Sequence, residues 1–431
     1  MKIYHYPSKA ADKKVSAIVD RGLDFKKKDY QTVARIIEDV RRNGDKAVIK
    51  YANRFDAPRL TARSMKVSAG EMAAAAKKVD RKFMRAMNRA ASQIKSFHRQ
   101  QIQQSWIHTQ RPGTILGQMV NPVNAAGIYV PGARGGKTPL ISTVLMTAIP
   151  AKIAGVEKLV MVTPSTRAGG VNPHLLAAAK KVGVTDIYKV GSAWAIGALA
   201  YGTETIPRVD VIAGPGNIYV TLAKKIVAGT VGIDMIAGPS EVLVIADETA
   251  CPAFVAADLL AQAEHDVLSS AILVTDSRKT ARAVAAEIDK QLGTLARKDI
   301  ARESIKKYGT VLVVDNLEAA VDLANRIAPE HLELQIKDPF DCLGRIRHAG
   351  AVFLGHYTPE PVGDYVAGPN HVLPTAGTAR FASALSVDHF IKKTSIIHYS
   401  KEAFKKEAAD VMRLAKLEGL DAHVNSIKIR L

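Results

Sequence analysis

The sequence predicts an α/β protein built on parallel sheets. From about residue 120, short β-branched runs alternate with helical patterns, and the runs are continuously apolar. Continuous apolar runs are typical of strands that helices cover on both faces, as in parallel sheets. The predicted strands are residues 159–163, 186–190, 209–213, 242–246, 271–275, 311–314, 332–335 and 351–354. The predicted helices between them are residues 143–153, 193–201, 218–228, 278–292 and 316–327.

The segments on either side of this region lack the sheet pattern. Apolar residues recur at three- and four-residue spacing in residues 13–19, 31–51 and 69–104, which predicts amphipathic helices in the N-terminal region. After about residue 380 we predict one helix, residues 401–417, and an extended tail. The expected parts are a helical segment 1–118, two α/β domains 119–238 and 239–380, and a C-terminal segment 381–431.

The chain is basic, but unevenly so. Its 431 residues carry 60 Lys and Arg against 41 Asp and Glu, a net charge of +19. Residues 1–120 hold 26 basic and 10 acidic residues, whereas residues 241–380 hold 14 basic and 20 acidic residues. A basic surplus favours nucleic acid, an anionic membrane or a phosphorylated ligand, but solvated faces of amphipathic helices explain it as well. We favour the solvated faces and expect no nucleic-acid partner.

Composition and motifs exclude several protein classes. A hydrophobic content of 47% excludes intrinsic disorder for most of the chain. The longest uncharged apolar stretches, 138–151 and 190–203, are shorter than the roughly 20 residues of a membrane span. The N-terminus lacks an apolar signal-peptide core, and Cys251 and Cys342 form no disulfide framework or thiolate zinc motif. We therefore expect a cytoplasmic protein without a membrane partner.

Three glycine-rich turns are candidates for phosphate binding: residues 127–139, 190–197 and 213–220. Such turns let backbone N–H groups at a helix N-terminus approach a phosphate. None of them fits the GxGxxG spacing of a dinucleotide site, and Lys137 lacks the context of an NTP-binding loop. Their spacing leaves two alternatives open, a nucleotide site or close-packed turns of the sheet.

Polar residues stand out at the end of the helix that begins near Pro252. Gln262 and His265 are three residues apart and share a face of this helix, where an amide oxygen and an imidazole can bind one cation. Two ligands do not complete a zinc site. The alternative is an ordinary polar helix end, where the helix dipole favours a histidine.

Two later segments offer acid and base groups. Glu330 and His331 follow a helix-ending proline at the start of a predicted strand, where they can serve as two bases or lie in an exposed loop. Residues 355–375 are rich in Gly and Pro and too long for a simple connection. This length raises Asp364 and His371 as functional candidates without assigning their roles.

A series of short motifs in fixed order resembles the histidinol dehydrogenase family. The motifs run from residue 127 to residue 425: IYVPG, STVLM, AGPGN, AGPSEVLVIAD, LLAQAEH, APEHLEL, VFLG, VGDYVAGPNHVLPT and AHVN. So many ordered and chemically unusual matches make the resemblance specific. Only the N-terminal quarter rests mainly on length and helical character.

The resemblance implies a homodimer whose active site is shared between the subunits. Each subunit would contain two incomplete Rossmann-like domains with parallel sheets, and its helical N-terminal and C-terminal segments would intertwine the dimer. The implied reaction oxidises L-histidinol to L-histidine through L-histidinal, the last steps of histidine biosynthesis, and consumes two NAD+ at one site.

The resemblance also implies one Zn2+ per subunit. The family's ligands fall on Gln262, His265, Asp364 and, from the partner subunit, His423. One amide oxygen, one carboxylate and two imidazoles suit this ion. The metal would orient the substrate through its imidazole and amino nitrogens rather than supply hydroxide.

Catalytic roles follow from the same resemblance. His331 matches the base that takes the alcohol proton, and Glu330 matches the residue that activates water on the aldehyde. The family's substrate contacts fall on Ser240, Gln262, His265, His331, Asp364, His371, Glu418 and His423.

The family's nucleotide contacts fall on Tyr129, Asn217 and position 194. At position 194 the best-known members have glutamine, whereas this chain has Trp194. Tryptophan would stack on the nicotinamide or adenine ring, or simply pack a turn. The turn ARGGKT is also basic, and we expect Arg134 or Lys137 to face the pyrophosphate.

One alternative keeps the scaffold and changes the substrate. It is a zinc- and NAD-dependent dehydrogenase of another small polar alcohol, for example a sulfonated diol, and it would keep the zinc ligands and the pair of Glu330 and His331. Glu418, which matches a contact for the substrate amino group, favours histidinol.

Overall fold

A computed structural model describes residues 1–19, 25–56, 59–132 and 138–431. Two compact units are present, one of Met1–Gln101 with Asn124–Phe390 and one of Ile102–Val123 with Ile391–Leu431. No helix in these described ranges is long and apolar enough to cross a membrane.

The strands are numbered in chain order. They are β1 Ile3–His5, β2 Trp106–His108, β3 Thr114–Pro122, β4 Ala125–Tyr129, β5 Thr138–Pro139, β6 Lys158–Val162, β7 Asp186–Tyr188, β8 Val211–Ala213, β9 Gly232–Ile233, β10 Glu241–Ala246, β11 Ser270–Thr275, β12 Thr310–Val313, β13 His331–Gln335, β14 Ala351–Leu354 and β15 Ile391–Tyr399.

The helices are numbered in the same way. They are α1 Lys9–Val19, α2 Lys27–Phe55, α3 Ala62–Met65, α4 Ala69–Ala76, α5 Arg81–Arg99, α6 Ile141–Ala154, α7 Pro173–Lys181, α8 Ser192–Tyr201, α9 Ile218–Val227, α10 Pro252–Ala263, α11 Arg278–Leu292, α12 Lys298–Tyr308, α13 Leu317–Ile327, α14 Pro339–Leu343, α15 Glu360–Val362, α16 Lys401–Leu417 and α17 Asp421–Lys428. Further helical turns span Gly363–Ala367, Thr378–Arg380 and Val387–Phe390.

The larger unit contains a six-stranded parallel sheet in the order β1-β12-β11-β10-β13-β14. Its strand β10 is buried along its whole length. Val242, Val244 and Ala246 pack in the apolar cluster that contains α10, α11 and α12. Leu243 and Ile245 pack in a second cluster with α1 and α13, because successive side chains of a strand point to opposite faces. Helices on both faces explain why these strands are continuously apolar.

A five-stranded parallel sheet, in the order β7-β6-β4-β8-β9, lies in the same unit. Helix α2 packs against α8, and buried residues of both helices share one core with Val160, Val162 and Ile212 of the sheet. The two parallel sheets with their covering helices confirm the predicted α/β class.

The smaller unit is a three-stranded antiparallel sheet, β15-β3-β2, with helices α16 and α17. β15 pairs with β3 from Ile391 opposite Pro122 to Tyr399 opposite Thr114. Ser400 caps α16, because its side chain accepts a hydrogen bond from the backbone N–H of Ala403. Helix α17 packs against α16.

The sequence prediction is wrong near both ends of the chain. Strands β1, β2 and β3 lie in the region predicted to be helical, β15 lies in the region predicted to lack strands, and the tail predicted to be extended forms α17. The helix predicted over residues 69–104 is two helices, because Asp80 caps α5 by accepting from the N–H of Phe83. Most residues of β15 are exposed, so this strand has no apolar run to reveal it.

A buried ion pair fixes the turn that follows β8. Lys224 on α9 and Asp234 have almost fully buried side chains, and they form a salt bridge. Lys224 Nζ also donates to the Gly214 carbonyl (3.0 Å), and Gly214 N donates to Asp234 Oδ2 (2.7 Å). The pair therefore holds the start of the glycine-rich turn 213–217 in place.

Replacing Lys224 by methionine would leave the Asp234 carboxylate buried without its cation. We expect Lys224→Met to lower the free energy of unfolding by about 3–5 kcal/mol, because an unpaired buried charge is costly. Urea denaturation measures this change. Lys225→Met removes an exposed lysine of the same helix and should cost less than about 1 kcal/mol. Equal losses in the two variants would contradict the importance of the pair.

Candidate active site

The acid and base candidates Glu330 and His331 lie at the start of β13. Helix α13 ends at Ile327, Ala328 takes a left-handed conformation (φ 54°), and Pro329 follows it. Glu330 is 6% exposed and His331 is 3% exposed. The exposed-loop interpretation of these two residues is therefore wrong.

The backbone of one residue, Glu241, holds both side chains. The Glu241 N–H donates to Glu330 Oε2 (2.9 Å), and the Glu241 carbonyl accepts from His331 Nδ1 (2.9 Å). Both contacts are possible because β10 and β13 are parallel neighbours, with Val242 opposite His331. Since Nδ1 carries the proton, His331 Nε2 presents a lone pair, and it has no hydrogen-bond partner among the described residues.

Two carboxyl groups lie near His331 Nε2. Glu360 Oε1 is 3.8 Å away, and one ligand atom each of His331, Glu360 and Asp364 lie within 4.8 Å of one another. Glu360 begins α15, and its N–H donates to Glu333 Oε1 (2.9 Å) on β13. Sequence analysis named Asp364 but missed Glu360, although a spacing of four residues on one helical segment was a usable signal.

Burial raises the pKa values of the carboxyl groups around His331. The pKa of Glu330 lies well above its ordinary value for this reason. Burial and the nearby Asp258 raise the pKa of Glu360 to about 8. Burial and Glu360 raise the pKa of Asp364 to about 7, against the lowering effect of His331. A bound cation would stabilise the ionised forms of these groups.

Helix α10 contributes buried polar groups to the same region. Gln262 is fully buried, and within the described ranges neither its amide oxygen nor its amide nitrogen has a hydrogen-bond partner. Because an unpaired buried amide costs free energy, this position favours a bound group as partner. Asp258, one turn earlier, accepts from Gln335 Nε2 (2.6 Å) on β13. Partial desolvation and the nearby His331 lower the pKa of His265, which follows the end of the helix.

These groups fit a divalent metal ion. The buried Gln262 amide, the imidazole of His265 and the Asp364 carboxylate are donors that zinc accepts. The cluster of His331, Glu360 and Asp364 offers a second combination of ligands. The chemistry of the donors therefore agrees with a zinc site in this part of the larger unit.

A cavity of about 330 Å³ opens beside His331. Asp364 and His371 line it with polar groups, whereas Phe97 and Phe353 are among its apolar lining residues. His371 Nδ1 donates to the Asp364 carbonyl (3.1 Å), and burial lowers the pKa of His371 to about 4. A small polar molecule with an apolar part fits such a cavity.

Ser240, Glu418 and His423 are the remaining predicted contacts of the substrate or the metal. Ser240 directly precedes β10, and its carbonyl accepts from Ser270 N (3.0 Å). His423 on α17 and Glu418 at the end of α16 are exposed and belong to the smaller unit. Their roles in a shared active site stay predictions.

The nucleotide candidates lie at the carboxyl ends of strands in the five-stranded sheet. Tyr129 ends β4, and its hydroxyl accepts from the N–H of Ser192 (3.1 Å) at the start of α8. Asn217 follows β8 and caps α9, because its side chain accepts from the N–H groups of Tyr219 (3.0 Å) and Val220 (3.2 Å). Ligands of open parallel sheets bind at this edge, so the positions of Tyr129 and Asn217 agree with a nucleotide site.

Trp194 packs in the core of the larger unit. It is 4% exposed, and its ring stacks on Tyr51 (6.0 Å between centroids) and Phe55 (5.7 Å). Of the two alternatives for Trp194, the structure therefore shows packing, and contact with the nucleotide stays a prediction. Arg134 and Lys137 lie outside the described residues.

Comparison with known proteins identifies the family that this chain resembles. The family model described as histidinol dehydrogenase matches residues 20–431. The histidinol dehydrogenase of Desulfotalea psychrophila is 57% identical over 398 residues, which cover 92% of this chain and 92% of that protein. That of Oleidesulfovibrio alaskensis is 53% identical over 399 residues, 93% of this chain and 92% of that protein. The crystal structure of histidinol dehydrogenase from Elizabethkingia anophelis matches with a TM-score of 0.93 and 39% identity, and covers 100% of this chain and 98% of that one.

Zinc affinity of the metal-free protein should fall as the pH decreases below about 7. Asp364 is protonated below its raised pKa of about 7, and zinc must displace that proton to bind the carboxylate. We expect about a tenfold loss of affinity per pH unit for each displaced proton. Competition with a zinc-binding dye at several pH values measures this slope.

Two variants sharpen this measurement. Asp364→Asn should bind zinc more weakly and with a shallower pH dependence, whereas Asp341→Asn, an exposed site on α14, should leave both unchanged. An affinity independent of pH between about 5 and 7 would contradict metal binding by Asp364.

Proposed function

The chain belongs to the histidinol dehydrogenase family, and we propose that Glu330 and His331 carry the acid–base chemistry of its reaction. The family enzyme is an NAD-dependent oxidoreductase of histidine biosynthesis, which converts L-histidinol to L-histidine. The observation that supports the two roles most strongly is the pair of hydrogen bonds made by the backbone N–H and carbonyl of Glu241. It orients both buried side chains and leaves His331 Nε2 free to accept a proton.

His331 is the proposed base for the oxidation of the alcohol. Its Nε2 has a lone pair because Nδ1 donates to the Glu241 carbonyl, and burial lowers the pKa of His331, which keeps the ring neutral and ready to take a proton. The hydroxyl proton of histidinol would move to Nε2 as the carbon that bears the hydroxyl loses its hydride, for which bound NAD+ would supply the acceptor. The neighbouring Asp364 carboxyl group favours the imidazolium that forms.

Glu330 is the proposed base for the second oxidation. An aldehyde has no second hydride to give until a nucleophile adds to its carbonyl carbon. Glu330, with its pKa raised by burial, takes a proton from water as the water oxygen bonds to that carbon. The hydrate anion left by this proton transfer would become the carboxylic acid by loss of a hydride, for which a second NAD+ would supply the acceptor. Cys251 and Cys342 lie outside the matched catalytic positions, so water rather than a thiol is the proposed nucleophile.

Zinc is the proposed metal, one ion per subunit. The proposed ligands are Gln262, His265, Asp364 and, from the partner subunit, His423. The buried amide of Gln262, which has no hydrogen-bond partner among the described residues, supports the first subunit's share of this site. When bound, the ion supplies a Lewis-acid site that orients the imidazole and amino nitrogens of histidinol.

The remaining contacts follow the same assignment. The substrate contacts besides the zinc ligands and His331 are Ser240, His371 and Glu418, of which His371 lines the cavity. The nucleotide contacts are Tyr129, Asn217 and Trp194, and the five-stranded sheet supports the nucleotide domain proposed for residues 119–238. The six-stranded sheet supports the catalytic domain proposed for residues 239–380.

The homodimer is also a proposal. The helical N-terminal segment 1–118 and the C-terminal segment 381–431 would intertwine two subunits, and His423 and Glu418 of one chain would then complete the site of the other. Their exposure in the smaller unit is compatible with this assignment. We place the enzyme in the cytoplasm, where its free cysteines would stay reduced. The alternative substrate, a sulfonated diol, receives no support from the comparisons.

Two substitutions should separate the two oxidations. His331→Asn should slow the oxidation of L-histidinol by about a hundredfold or more, because no base remains to take the hydroxyl proton. Glu330→Gln should slow the turnover of supplied L-histidinal more than the first oxidation. NADH formation by the purified proteins, with each substrate in turn, measures both effects.

Matched variants control for the change of residue type. His348→Asn and Glu303→Gln alter the same residue types outside the cavity lining and should keep normal rates. Equal losses on both substrates in the Glu330 and His331 variants would contradict separate roles. Activity of the unaltered protein on a small polar diol but not on L-histidinol would overturn the assigned substrate.

Metal removal provides a separate test. Chelation followed by dialysis should abolish the oxidation of L-histidinol, and added Zn2+ should restore it, because the proposed ion orients the substrate. Metal content by atomic absorption should follow the activity at about one ion per subunit. Full activity in protein shown to be free of metal would remove the proposed zinc site.

A further inference from the structure

A buried hydrogen-bond chain connects helix α5 with the segment that carries the cavity residues 364–372. His98, in the last turn of α5, is 0% exposed, and its Nδ1 is 2.7 Å from Gln101 Oε1. Its Nε2 is 3.4 Å from Asn370 Nδ2. Asn370 is 4% exposed, and Nδ2 also donates to the carbonyl of Met146 (2.6 Å) on α6. These hydrogen bonds therefore join two helices and one loop in the larger unit.

The hydrogen bonds fix the direction of every group in this chain. Asn370 Oδ1 accepts from Val372 N (2.9 Å), so its NH2 group must face His98 and the Met146 carbonyl. Gln101 Oε1 also accepts from the N–H of Val387 (3.2 Å), so His98 Nδ1 must be the donor to that oxygen. His98 Nε2 then accepts from Asn370 Nδ2. Burial lowers the pKa of His98, which agrees with this neutral tautomer.

The same segment contacts α5 at a second point. Gly368 has φ 116°, and a Cβ at this position would lie 2.9 Å from the Gln93 carbonyl of α5. Only glycine allows this close approach with this backbone conformation. Gly368 sets the distance between backbone and helix, whereas the side chains of His98 and Asn370 set the direction of the residues that follow.

This hydrogen-bond chain ends at the wall of the cavity. Gln101, Asn370 and His371 all line it, and Phe97 of α5 is a further lining residue. His371 directly follows Asn370 and donates through Nδ1 to the carbonyl of Asp364. A shift of Asn370 would therefore move a proposed substrate contact.

We propose that His98 and Asn370 are positioning residues for substrate binding. They act through His371 and Gln101, which they hold at the cavity wall, and they do not touch the reacting atoms. This inference rests on the proposed function, in which His371 contacts the substrate. Helix α5, the last helix of the basic N-terminal segment, then contributes to substrate recognition.

Two replacements of His98 separate positioning from simple packing. Glutamine places its amide oxygen near the position of Nε2 and can accept from Asn370, whereas asparagine reaches only the position of Nδ1. His98→Asn should raise the KM for L-histidinol about tenfold, the effect of one lost buried hydrogen bond. Its kcat and its KM for NAD+ should change less than about threefold. His98→Gln should keep the KM for L-histidinol within about threefold of the unaltered protein.

Asn370→Asp provides a second approach to the same link. The carboxylate still accepts from Val372 N but cannot donate to His98 or to the Met146 carbonyl, so the KM for L-histidinol should again rise about tenfold. In the double variant His98→Asn with Asn370→Asp, the two effects should not add, because both substitutions remove the hydrogen bond between His98 and Asn370. Circular dichroism and thermal unfolding of all variants check that the proteins are folded.

Three results would overturn the inference. They are equal KM values for His98→Asn and His98→Gln, additive effects in the double variant, or an equal rise in the KM for NAD+. If His98→Asn does not fold, the comparison of Asn370→Asp with the unaltered protein decides alone. Failure of the unaltered protein to oxidise L-histidinol would contradict the proposed function instead, so the two failures are distinguishable.

Discussion

The backbone N–H and carbonyl of Glu241 hold Glu330 and His331 together, and the chemistry of the cavity depends on these contacts. They arise from strand order, because β10 and β13 are parallel neighbours in the six-stranded sheet. The N–H and the carbonyl of Glu241 belong to two successive peptide groups that strand β10 holds at fixed positions, so the backbone of one strand residue orients both the carboxyl group and the imidazole. His331 Nε2 is then available to accept a proton, because the other ring nitrogen, Nδ1, is already bonded to the Glu241 carbonyl. No side-chain rearrangement is needed to present the base.

The second constraint is the burial of many carboxyl groups in a small volume. Asp258, Glu333 and Glu360 lie near one another, and burial raises the pKa of each. Removing carboxylates from water costs several kcal/mol apiece unless hydrogen bonds, a proton or a cation compensates. Gln335 donates to both Asp258 and Glu333, and the N–H of Glu360 donates to Glu333. A core selected for stability alone would not contain this arrangement, so its presence reflects binding or catalysis.

The sequence reveals the parts of the structure that bury apolar side chains. Strand β10 is apolar on both faces and was predictable, whereas β15 is mostly exposed and exists through its pairing with β3, far away in sequence. The same limit applies to the site. Residue types and position made Glu330 and His331 candidates with an exposed loop as the alternative, and only the family resemblance implied their roles. The backbone contacts of Glu241 leave no mark in the sequence, because any residue other than proline has the same N–H and carbonyl. The spacing of Glu360 from Asp364 was visible in the sequence, but its approach to His331 follows only from the fold.

Strand β1 gives this fold an unusual order of assembly. It closes one edge of the six-stranded sheet by pairing with β12, Ile3 opposite Val311, so its partner is synthesised roughly 300 residues later. At ordinary rates of translation β1 therefore waits about 15–60 s for β12. The five-stranded sheet, by contrast, is built from strands that follow one another closely between β4 and β9. Synthesis thus favours early folding of the five-stranded sheet, and the six-stranded sheet gains its edge strand only after most of the chain has emerged.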